Sequence, residues 1–303
     1  MDFWPEDVVP GRLTWSVTRD KRLRTCLRRY YLHHYASRGG GNVKTADRET
    51  RELYVLKHLR NRYMWVGEIV HELIELALTA VRRGDSVPVE QLAERGTRRM
   101  RAQYSESIQG MYRDNPVFKY AFFEHEYREE VSREEWRAQR DRMEACLRTF
   151  EALPLVETIR GTPAFRWLAL ESAASFELDG STIVVKPDFA YRDDDERVVL
   201  VDWKTGKPRL DDEKLQLAVY AAYAKRAWGV ADITRALLAY LETNEVVEIP
   251  LSDADLEWGE NQIRESVKQM RELAAGEPTI ERFPMTEDVT KCALCSFKRV
   301  CRR

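Results

Sequence analysis

The spacing of apolar residues divides the chain into a helical first part and a second part that mixes strands with helices. Over 65–83, apolar side chains recur every three or four positions, which predicts an amphipathic helix. A shorter helix is predicted over 51–62, and an earlier one runs from Thr14 to Tyr35 before three glycines end it. Residues 88–150 are polar and are predicted to be almost wholly helical, with a charged face toward solvent.

Strand patterns begin after the polar helices. Phe165–Leu178 and Thr182–Tyr191 each resemble a strand, and Asp179-Gly180 between them is a hairpin signal. A third strand is predicted over Arg197–Trp203, from its apolar run. The remaining predicted elements are a helix over 211–228, strands over 233–241 and 245–249, and a helix over 252–275. This order of elements predicts an α/β fold.

Chain length and composition allow one elaborated domain with a sizeable core. The chain has 303 residues, of which 44% are hydrophobic. We divide it into four parts of one compact unit. They are an N-terminal helical part with Cys26 and His71 (1–83), a helical insert (84–164), a mixed core (165–275) and a cysteine-bearing tail (276–303).

Charge and hydropathy narrow the functional classes only slightly. The net charge of −2 gives no support to a nucleic-acid binder, although Lys and Arg crowd into short stretches around 19–29, 95–101 and 291–303. No apolar run reaches about 18 residues, and the N-terminus lacks the features of a secretory signal. We therefore expect a cytoplasmic protein without a membrane span, whose five cysteines are thiols or metal ligands.

Asp202-Trp203-Lys204 is the strongest candidate for chemistry. On a strand, Asp202 and Lys204 point to one side and Trp203 to the other. With Asp188 fourteen residues earlier, the two acids suit a Mg²⁺ or Mn²⁺ ion that neutralises a phosphodiester. Lys204 would position or deprotonate a water, or contact phosphate directly, and the nearby carboxylates oppose the lowered pKa that a base needs. An isolated tripeptide of this kind usually forms a surface salt bridge.

Two helices carry further polar candidates. Gln216 and Tyr220 are four residues apart and share one helical face, which is typical of a site and equally of a polar helix rim. His71 lies on the apolar helix over 65–83, where it is either an ordinary helix histidine or half of a zinc pair with Glu75.

The cysteines form a second candidate site. Cys292, Cys295 and Cys301 are close in sequence, and Cys26 lies far upstream. Four thiolates suit either Zn²⁺ or an iron–sulfur cluster, and the spacing does not separate the two. Either group would clamp the two ends of the chain together. Cys146 is interpreted as a core thiol.

Together these residues resemble the PD-(D/E)xK nuclease superfamily, in particular its RecB-like and AddB-like branch with a four-cysteine iron–sulfur cluster. CRISPR-adaptation RecB-like exonucleases are similar. The resemblance is carried by His71, Pro187-Asp188, Asp202-Trp203-Lys204, Gln216-x-x-x-Tyr220, the one-plus-three cysteines and the helix around Ser16–Tyr31. It implies a restriction-endonuclease-like α/β fold, with a mixed central sheet flanked by helices, a helical insert and an Fe–S latch joining the N- and C-termini.

The resemblance also implies a role for each matching residue. Lys204 would be the catalytic lysine, and Gln216 and Tyr220 would contact DNA or support the site. Mg²⁺ or Mn²⁺ would be held by His71, Asp188, Asp202 and the backbone carbonyl of Trp203. A [4Fe-4S] cluster, with zinc as the alternative, would be held by Cys26, Cys292, Cys295 and Cys301.

Two positions depart from the family pattern, and one further acid lies near the site. Many relatives have a glycine where this chain has Val185 and a proline where it has Leu27, and neither change removes a ligand. Glu171, on the strand before Asp188, is a further acid near the metal position.

The leading hypothesis is a metal-dependent DNA nuclease, an exonuclease or a single-strand- or flap-directed enzyme, in DNA repair, recombination, phage or defence pathways. The expected partners are DNA that is single-stranded or has free ends, and a helicase or other repair or defence protein. The Arg-rich helix around Ser16–Tyr31 and the basic tail would engage phosphates. Trp15, Tyr30, Tyr31 and Tyr35 would stack on bases or, for most of them, pack in the core. The alternatives are a catalytically weak DNA-binding or scaffold subunit and a zinc-stapled structural protein.

Overall fold

The computed structural model describes residues 13–207, 210–229 and 235–301. The sequence predicts an irregular lead-in over 1–15, of which residues 1–12 lie outside the described residues. Arg302 and Arg303, the last two arginines of the basic tail, also lie outside them. The described chain is a mixed α/β fold, in which mixed sheets are flanked by helices, so the predicted fold class is confirmed. Within the described ranges, no helix is both long and apolar enough to cross a membrane.

The helices fall close to the predicted positions. In chain order they are α1 (Val17–Thr25), α2 (Leu27–Tyr31), a π-helical turn (Leu32–Ala36), α3 (Arg48–Lys57), α4 (Arg62–Arg82), α5 (Val89–Ile108), α6 (Phe123–Tyr127), α7 (Arg133–Ala152), α8 (Pro154–Gly161), α9 (Leu210–Ala227) and α10 (Asp253–Ala274). Asp47 caps α3 by accepting the N–H of Thr50.

Two predicted helical segments are wrong in their continuity. Residues 88–150 are not almost wholly helical, since the non-helical residues 114–122 and 128–132 separate α5, α6 and α7. The segment from Thr14 to Tyr35 begins as a short strand, and α1 and α2 are separate because Cys26 adopts an extended backbone, with φ −167° and ψ 117°. Apolar periodicity continues across this break, so the sequence pattern does not reveal it.

The strands form two sheets. They are β1 (Thr14–Trp15), β2 (Trp167–Leu170), β3 (Ala174–Leu178), β4 (Ser181–Val185), β5 (Phe189–Arg192), β6 (Val198–Lys204), β7 (Arg235–Tyr240) and β8 (Glu245–Pro250). The three-stranded sheet has the order β1-β4-β3, and the five-stranded sheet has the order β2-β5-β6-β7-β8. In the larger sheet β6 and β7 are parallel and the other pairs are antiparallel.

The predicted hairpin is confirmed, but its two long strands are each divided. Leu178 pairs with Ser181 across Asp179 and Gly180, which both have positive φ, as a two-residue hairpin turn requires. The predicted strand 165–178 becomes β2 and β3, and the predicted strand 182–191 becomes β4 and β5, with each pair split between the two sheets. The chain changes sheet at Glu171, with φ 46°, and around Pro187.

The chain divides into two compact units. Unit 1 comprises 1–17, 67–96 and 141–269, and unit 2 comprises 18–66, 97–140 and 270–303. Unit 1 contains both sheets, and fully buried aromatic residues such as Phe189 and Tyr240 lie in its core. Unit 2 has an apolar core that includes Leu56, Phe123 and Phe297. The four-part division drawn from the sequence stays a prediction.

Candidate active site and cysteine cavity

Strand β6 presents the acid and the lysine on one face. Asp202 is 2% exposed, and the Lys204 Nζ lies 2.5 Å from its Oδ2. Trp203 points to the opposite side, where its ring packs edge-on against Phe150 at a centroid distance of 5.3 Å. The Trp203 side chain therefore anchors the strand end in the core, while its neighbours in sequence face the site.

Asp188 is fixed by the backbone of the neighbouring strand. It lies just before β5, is buried, and its Oδ2 accepts the Trp203 N–H at 2.8 Å. β5 and β6 are adjacent antiparallel strands, so this bond ties the carboxylate of one strand to the main chain of the next. The two acids predicted from the sequence are thus brought together in unit 1.

Helix α9 supplies an amide that joins the acid to the lysine. The Gln216 Nε2 donates to Asp202 Oδ1 at 2.9 Å, and Lys204 Nζ donates to Gln216 Oε1 at 3.2 Å. Gln216 Nε2 also lies 2.9 Å from the Tyr220 hydroxyl, one helical turn on, and that hydroxyl donates to the Lys186 carbonyl at 2.8 Å. The predicted pair on one helical face is therefore in contact with the acid and the lysine.

His71 meets two carboxylates. Its Nδ1 lies 3.1 Å from Glu171 Oε1 and 3.5 Å from Asp188 Oδ2. His71, Glu171 and Asp188 each offer a ligand atom within 4.8 Å of the other two, and they are the one such group of His, Cys, Asp or Glu in the described chain. Neither Glu75, the alternative partner for His71, nor Asp202, one of the predicted metal ligands, is in this group.

Glu171 contacts more of the site than its sequence position suggests. Its Oε2 pairs with Lys186 Nζ at 2.7 Å, and its backbone N–H donates to the Asp188 carbonyl at 2.8 Å. The residue is buried, and its left-handed φ of 46° is a strained conformation for a side chain with a Cβ. We name these eight residues the acid–lysine site: His71, Glu171, Lys186, Asp188, Asp202, Lys204, Gln216 and Tyr220.

The charges of the acid–lysine site shift one another. Burial, with Asp188 nearby, raises the pKa of Asp202 to about 6. Burial also opposes the charged form of Lys204, but Asp202 and Asp188 outweigh it and raise the pKa of the lysine above its ordinary value. Asp188 is opposed by burial in the same way, yet the charge of His71 lowers its pKa. Lys204 therefore keeps its proton at neutral pH.

A close approach places α4 against the end of β6. A Cβ added at Gly67, one turn before His71, would lie 3.2 Å from the Thr205 Oγ1. This separation is tighter than most real Cβ contacts, so the missing side chain allows the histidine-bearing helix to lie near the strand that carries Asp202 and Lys204.

The four predicted cysteine ligands line one cavity in unit 2. We name it the cysteine cavity: it has a volume of about 160 Å³, and its walls include Cys26, Cys292, Cys295, Cys301, Arg29 and Lys291. In the described chain no three of the four sulfurs lie within 4.8 Å of one another. Burial raises the pKa of the Cys295 and Cys301 thiols. Cys146 is fully buried elsewhere, in unit 1.

Backbone and side-chain bonds connect the two sequence ends within unit 2. The Arg28 N–H donates to the Pro284 carbonyl at 3.1 Å, and its Nε donates to the Phe283 carbonyl at 2.8 Å. Tyr127 donates to the Ser296 carbonyl at 2.7 Å. Contacts within the protein therefore join the segment around Arg28 to the segment around Pro284.

Two of the predicted stacking aromatics are core residues. Trp15 and Tyr30 are both fully buried, and Trp15 Nε1 donates to the Ser266 Oγ at 3.1 Å. Tyr31 and Tyr35 are partly buried and pack against Phe283 at centroid distances of 5.0 and 5.5 Å. All four therefore have packing partners within the protein.

Sequence reasoning did not assign a role to Lys186 and mentioned Glu171 only as a nearby acid. One signal was available for each: Lys186 directly precedes Pro187-Asp188, and Glu171 interrupts an otherwise apolar and small strand pattern. Their contact with each other depends on the change of sheet, which the pattern does not show.

Comparison with known proteins identifies the family. Residues 14–302 match the profile of the PD-(D/E)XK nuclease superfamily, and the chain belongs to that superfamily. Its members are generally nucleases that use Mg²⁺ or Mn²⁺, which makes a metal-dependent nuclease the class defined by this fold. No curated protein matches the chain.

Proposed function

We propose that this protein is a metal-dependent deoxyribonuclease of the RecB-like, AddB-like branch, and that the acid–lysine site carries the reaction. The observation that supports this most directly is the buried, hydrogen-bonded set of Asp188, Asp202, Lys204 and Gln216. Burying two carboxylates is costly unless positive charge compensates them, so their retention at one strand end points to a function.

The donor set fits a hard divalent cation. His71, Asp188, Asp202 and the Trp203 carbonyl would hold Mg²⁺ or Mn²⁺, because carboxylate and carbonyl oxygens with one imidazole suit these ions. When bound, the ion supplies charge neutralisation for the phosphodiester and Lewis acidity. Glu171 adds a further oxygen beside His71.

Lys204 acts as a positioning charge. Its ammonium pairs with Asp202 and donates to Gln216 Oε1, so it orients the attacking water and the phosphate by electrostatics. Gln216 hydrogen-bonds to both Lys204 and Asp202 and so fixes their relative positions. Tyr220, on the next turn of α9, hydrogen-bonds to Gln216. These side chains orient the reacting groups before substrate arrives.

We propose DNA with free or single-stranded ends as the substrate, cut exonucleolytically or at flaps. The test uses 5′- and 3′-labelled single strands, duplexes and flaps, with and without Mn²⁺. Mn²⁺-dependent cleavage that is lost in Asp202→Ala and Lys204→Ala, with DNA binding retained, is the expected result. Cleavage that survives in both variants contradicts the site, and binding without cleavage by the unmodified protein indicates a catalytically weak binding subunit. A helicase or other repair or defence partner also stays a prediction.

We further propose that the cysteine cavity holds a [4Fe-4S] cluster. A tetrahedral zinc site needs sulfurs about 3.8 Å apart, since each lies about 2.3 Å from the ion. The four sulfurs line one cavity, and in the described chain no three of them lie within 4.8 Å of one another, which favours the larger iron–sulfur group. The buried Arg29 Nε has no hydrogen-bond partner and lies in the cavity wall, where it would donate to sulfur.

Anaerobic purification with metal analysis tests this assignment. Iron and sulfide near four per chain, with visible absorption, support the cluster, and one zinc per chain without iron supports the alternative. Arg29→Gln should lower retention of the group, whereas the matched Arg28→Gln, which removes a bond to the Phe283 carbonyl, should lower stability more than metal content.

A further inference from the structure

The two units carry opposite charge, although the chain as a whole is nearly neutral. Unit 1 has 20 Lys and Arg against 34 Asp and Glu, a net charge of −14, and unit 2 has 29 against 17, a net charge of +12. The acid–lysine site lies in the acidic unit. A polyanion is therefore repelled by the unit that holds the site and attracted by the other.

The positive charge of unit 2 is concentrated in one segment. Between Arg19 and Arg62 there are 13 Lys and Arg and only four acids. Three of these acids are already engaged: Asp20 pairs with Arg24 at 2.8 Å, Asp47 caps α3, and Glu52 pairs with Arg299 at 2.7 Å. The segment cannot neutralise itself, because its cations outnumber its acids about threefold.

Part of this charge is presented on an exposed stretch before α3 and in its first turn. Arg38, Lys44 and Arg48 are all exposed, and the chain between them contains three consecutive glycines. Gly40 is required by packing, since a Cβ there would lie 2.4 Å from the Tyr54 Cβ. The Arg38 guanidinium lies 4.9 Å from the centre of the Tyr35 ring, so a cation and an aromatic face occur together.

We infer that the exposed basic stretch Arg38–Arg48 of unit 2 is the surface that binds the nucleic-acid backbone, separately from the residues that carry the chemistry. This inference rests on the proposed nuclease function and adds to it the surface that holds the substrate. Phosphates are recognised through Lys and Arg without regard to base sequence. Affinity and catalysis are then properties of different residues in the two units.

The test compares two triple variants that remove the same charge. R38Q/K44Q/R48Q neutralises the stretch in unit 2, and R82Q/R83Q/R95Q neutralises three exposed arginines in unit 1. Binding of a labelled 20-nucleotide single strand is measured by fluorescence anisotropy in EDTA, from 50 to 300 mM salt. For a single strand, each lost phosphate contact lowers the slope of log affinity against log salt concentration by about 0.7. The unit 2 triple variant, R38Q/K44Q/R48Q, should therefore lose about 2 in this slope and bind about tenfold more weakly at 150 mM salt.

The control triple should keep the slope of the unmodified protein. With Mn²⁺ at low salt, the unit 2 triple should raise KM and leave kcat unchanged, because none of its residues belongs to the acid–lysine site. Equal slopes in the two triples, or a loss of kcat with an unchanged slope, would overturn the inference. If the triple does not fold, Lys44→Gln alone should give about one third of the slope change. Absence of Mn²⁺-dependent cleavage by the unmodified protein refutes the nuclease function, whereas these binding measurements in EDTA are independent of it.

Discussion

The acid–lysine site and the cysteine cavity are built in different ways. In the acid–lysine site every polar side chain has a partner within the site, so the fold itself holds the geometry. In the cysteine cavity the walls are held by apolar packing and main-chain bonds, and the four sulfurs face a space of about 160 Å³. The first site is pre-organised by hydrogen bonds and ion pairs among its own side chains, whereas apolar packing and main-chain bonds place the four cysteines of the second.

The sharpest test of pre-organisation is removal of one charge from the acid–lysine site. Asp202→Asn keeps the size of the side chain but removes a proposed metal ligand and the partner of Lys204, so Mn²⁺-dependent cleavage should fall by about a thousandfold. The measurement is the initial rate on an end-labelled strand. The Lys225–Asp253 pair of unit 1, which is solvent-exposed, gives the control. Asp253→Asn should cleave at the unmodified rate, and similar losses in both variants would refute a special role for Asp202.

The cysteine cavity should respond through stability and metal content. The proposed cluster would bind only the folded state and so stabilise it. Cys295→Ser should therefore reduce the metal content and lower the thermal midpoint by about 5 °C or more. Metal analysis and thermal unfolding check this. Cys146→Ala, at the buried thiol of unit 1, should keep the metal. Full metal content in Cys295→Ser would remove that cysteine from the ligand set.

Glu171 tests whether the acid–lysine site extends beyond the residues expected from the sequence. Glu171→Gln removes the charge that holds Lys186 and His71, so Mn²⁺ affinity should fall by about 10- to 100-fold, as expected when a residue that orients a metal ligand is lost. Calorimetric titration with Mn²⁺ and the Mn²⁺ dependence of the rate give the affinity. Glu196 also has a left-handed backbone, with φ 60°, and pairs with Arg166 at 3.4 Å. Glu196→Gln should bind Mn²⁺ normally; equal affinities in the two variants would show that Glu171 does not position the ligands.

The smallest expected effect is on the pH dependence of stability. Burial lowers the pKa of His58 in unit 2 to about 4. The unfolded chain, with a histidine pKa near 6.5, binds the proton more readily, so stability is lost as pH falls from about 6.5 to about 4. Loss of about 1 to 2 kcal/mol is expected in urea unfolding at pH 4.5 compared with pH 7.5. His58→Gln, which can still donate to the Tyr54 carbonyl, should show a flatter profile; an unchanged profile would assign the acid sensitivity to other groups.

Local pattern predicted the elements but not their breaks. The helical period identified α4, α9 and α10, and the Asp179-Gly180 turn was correct because its chemistry is local. The divisions of the two long strands were missed because apolar alternation continues while the chain passes from one sheet to the other. Both divisions lie at acids of the site, Glu171 and Asp188. Local sequence patterns often fail to predict the structure at such functional positions.

The site could be predicted from the sequence where the spacing of two residues determines which face their side chains share. Asp202 and Lys204 share a face because a strand alternates, and Gln216 and Tyr220 share one because a helix turns in four residues. The contacts of His71 with Glu171, and of Asp188 with the Trp203 N–H, join residues that are 100 and 15 positions apart. Such contacts depend on how the sheet and α4 pack, which no local pattern contains.

Gly67 shows how a residue without functional groups can set chemical distances. Its hydrogen faces the Thr205 Oγ1, and a methyl group there would force a shift of a few tenths of an ångström. That shift falls on the Thr205 hydroxyl, and Gly67 lies one helical turn before His71 on α4. The close approach of the histidine-bearing helix to the end of β6 is thus partly a matter of volume at a position that binds nothing. A search for functional positions that scores only polar residues would pass over it.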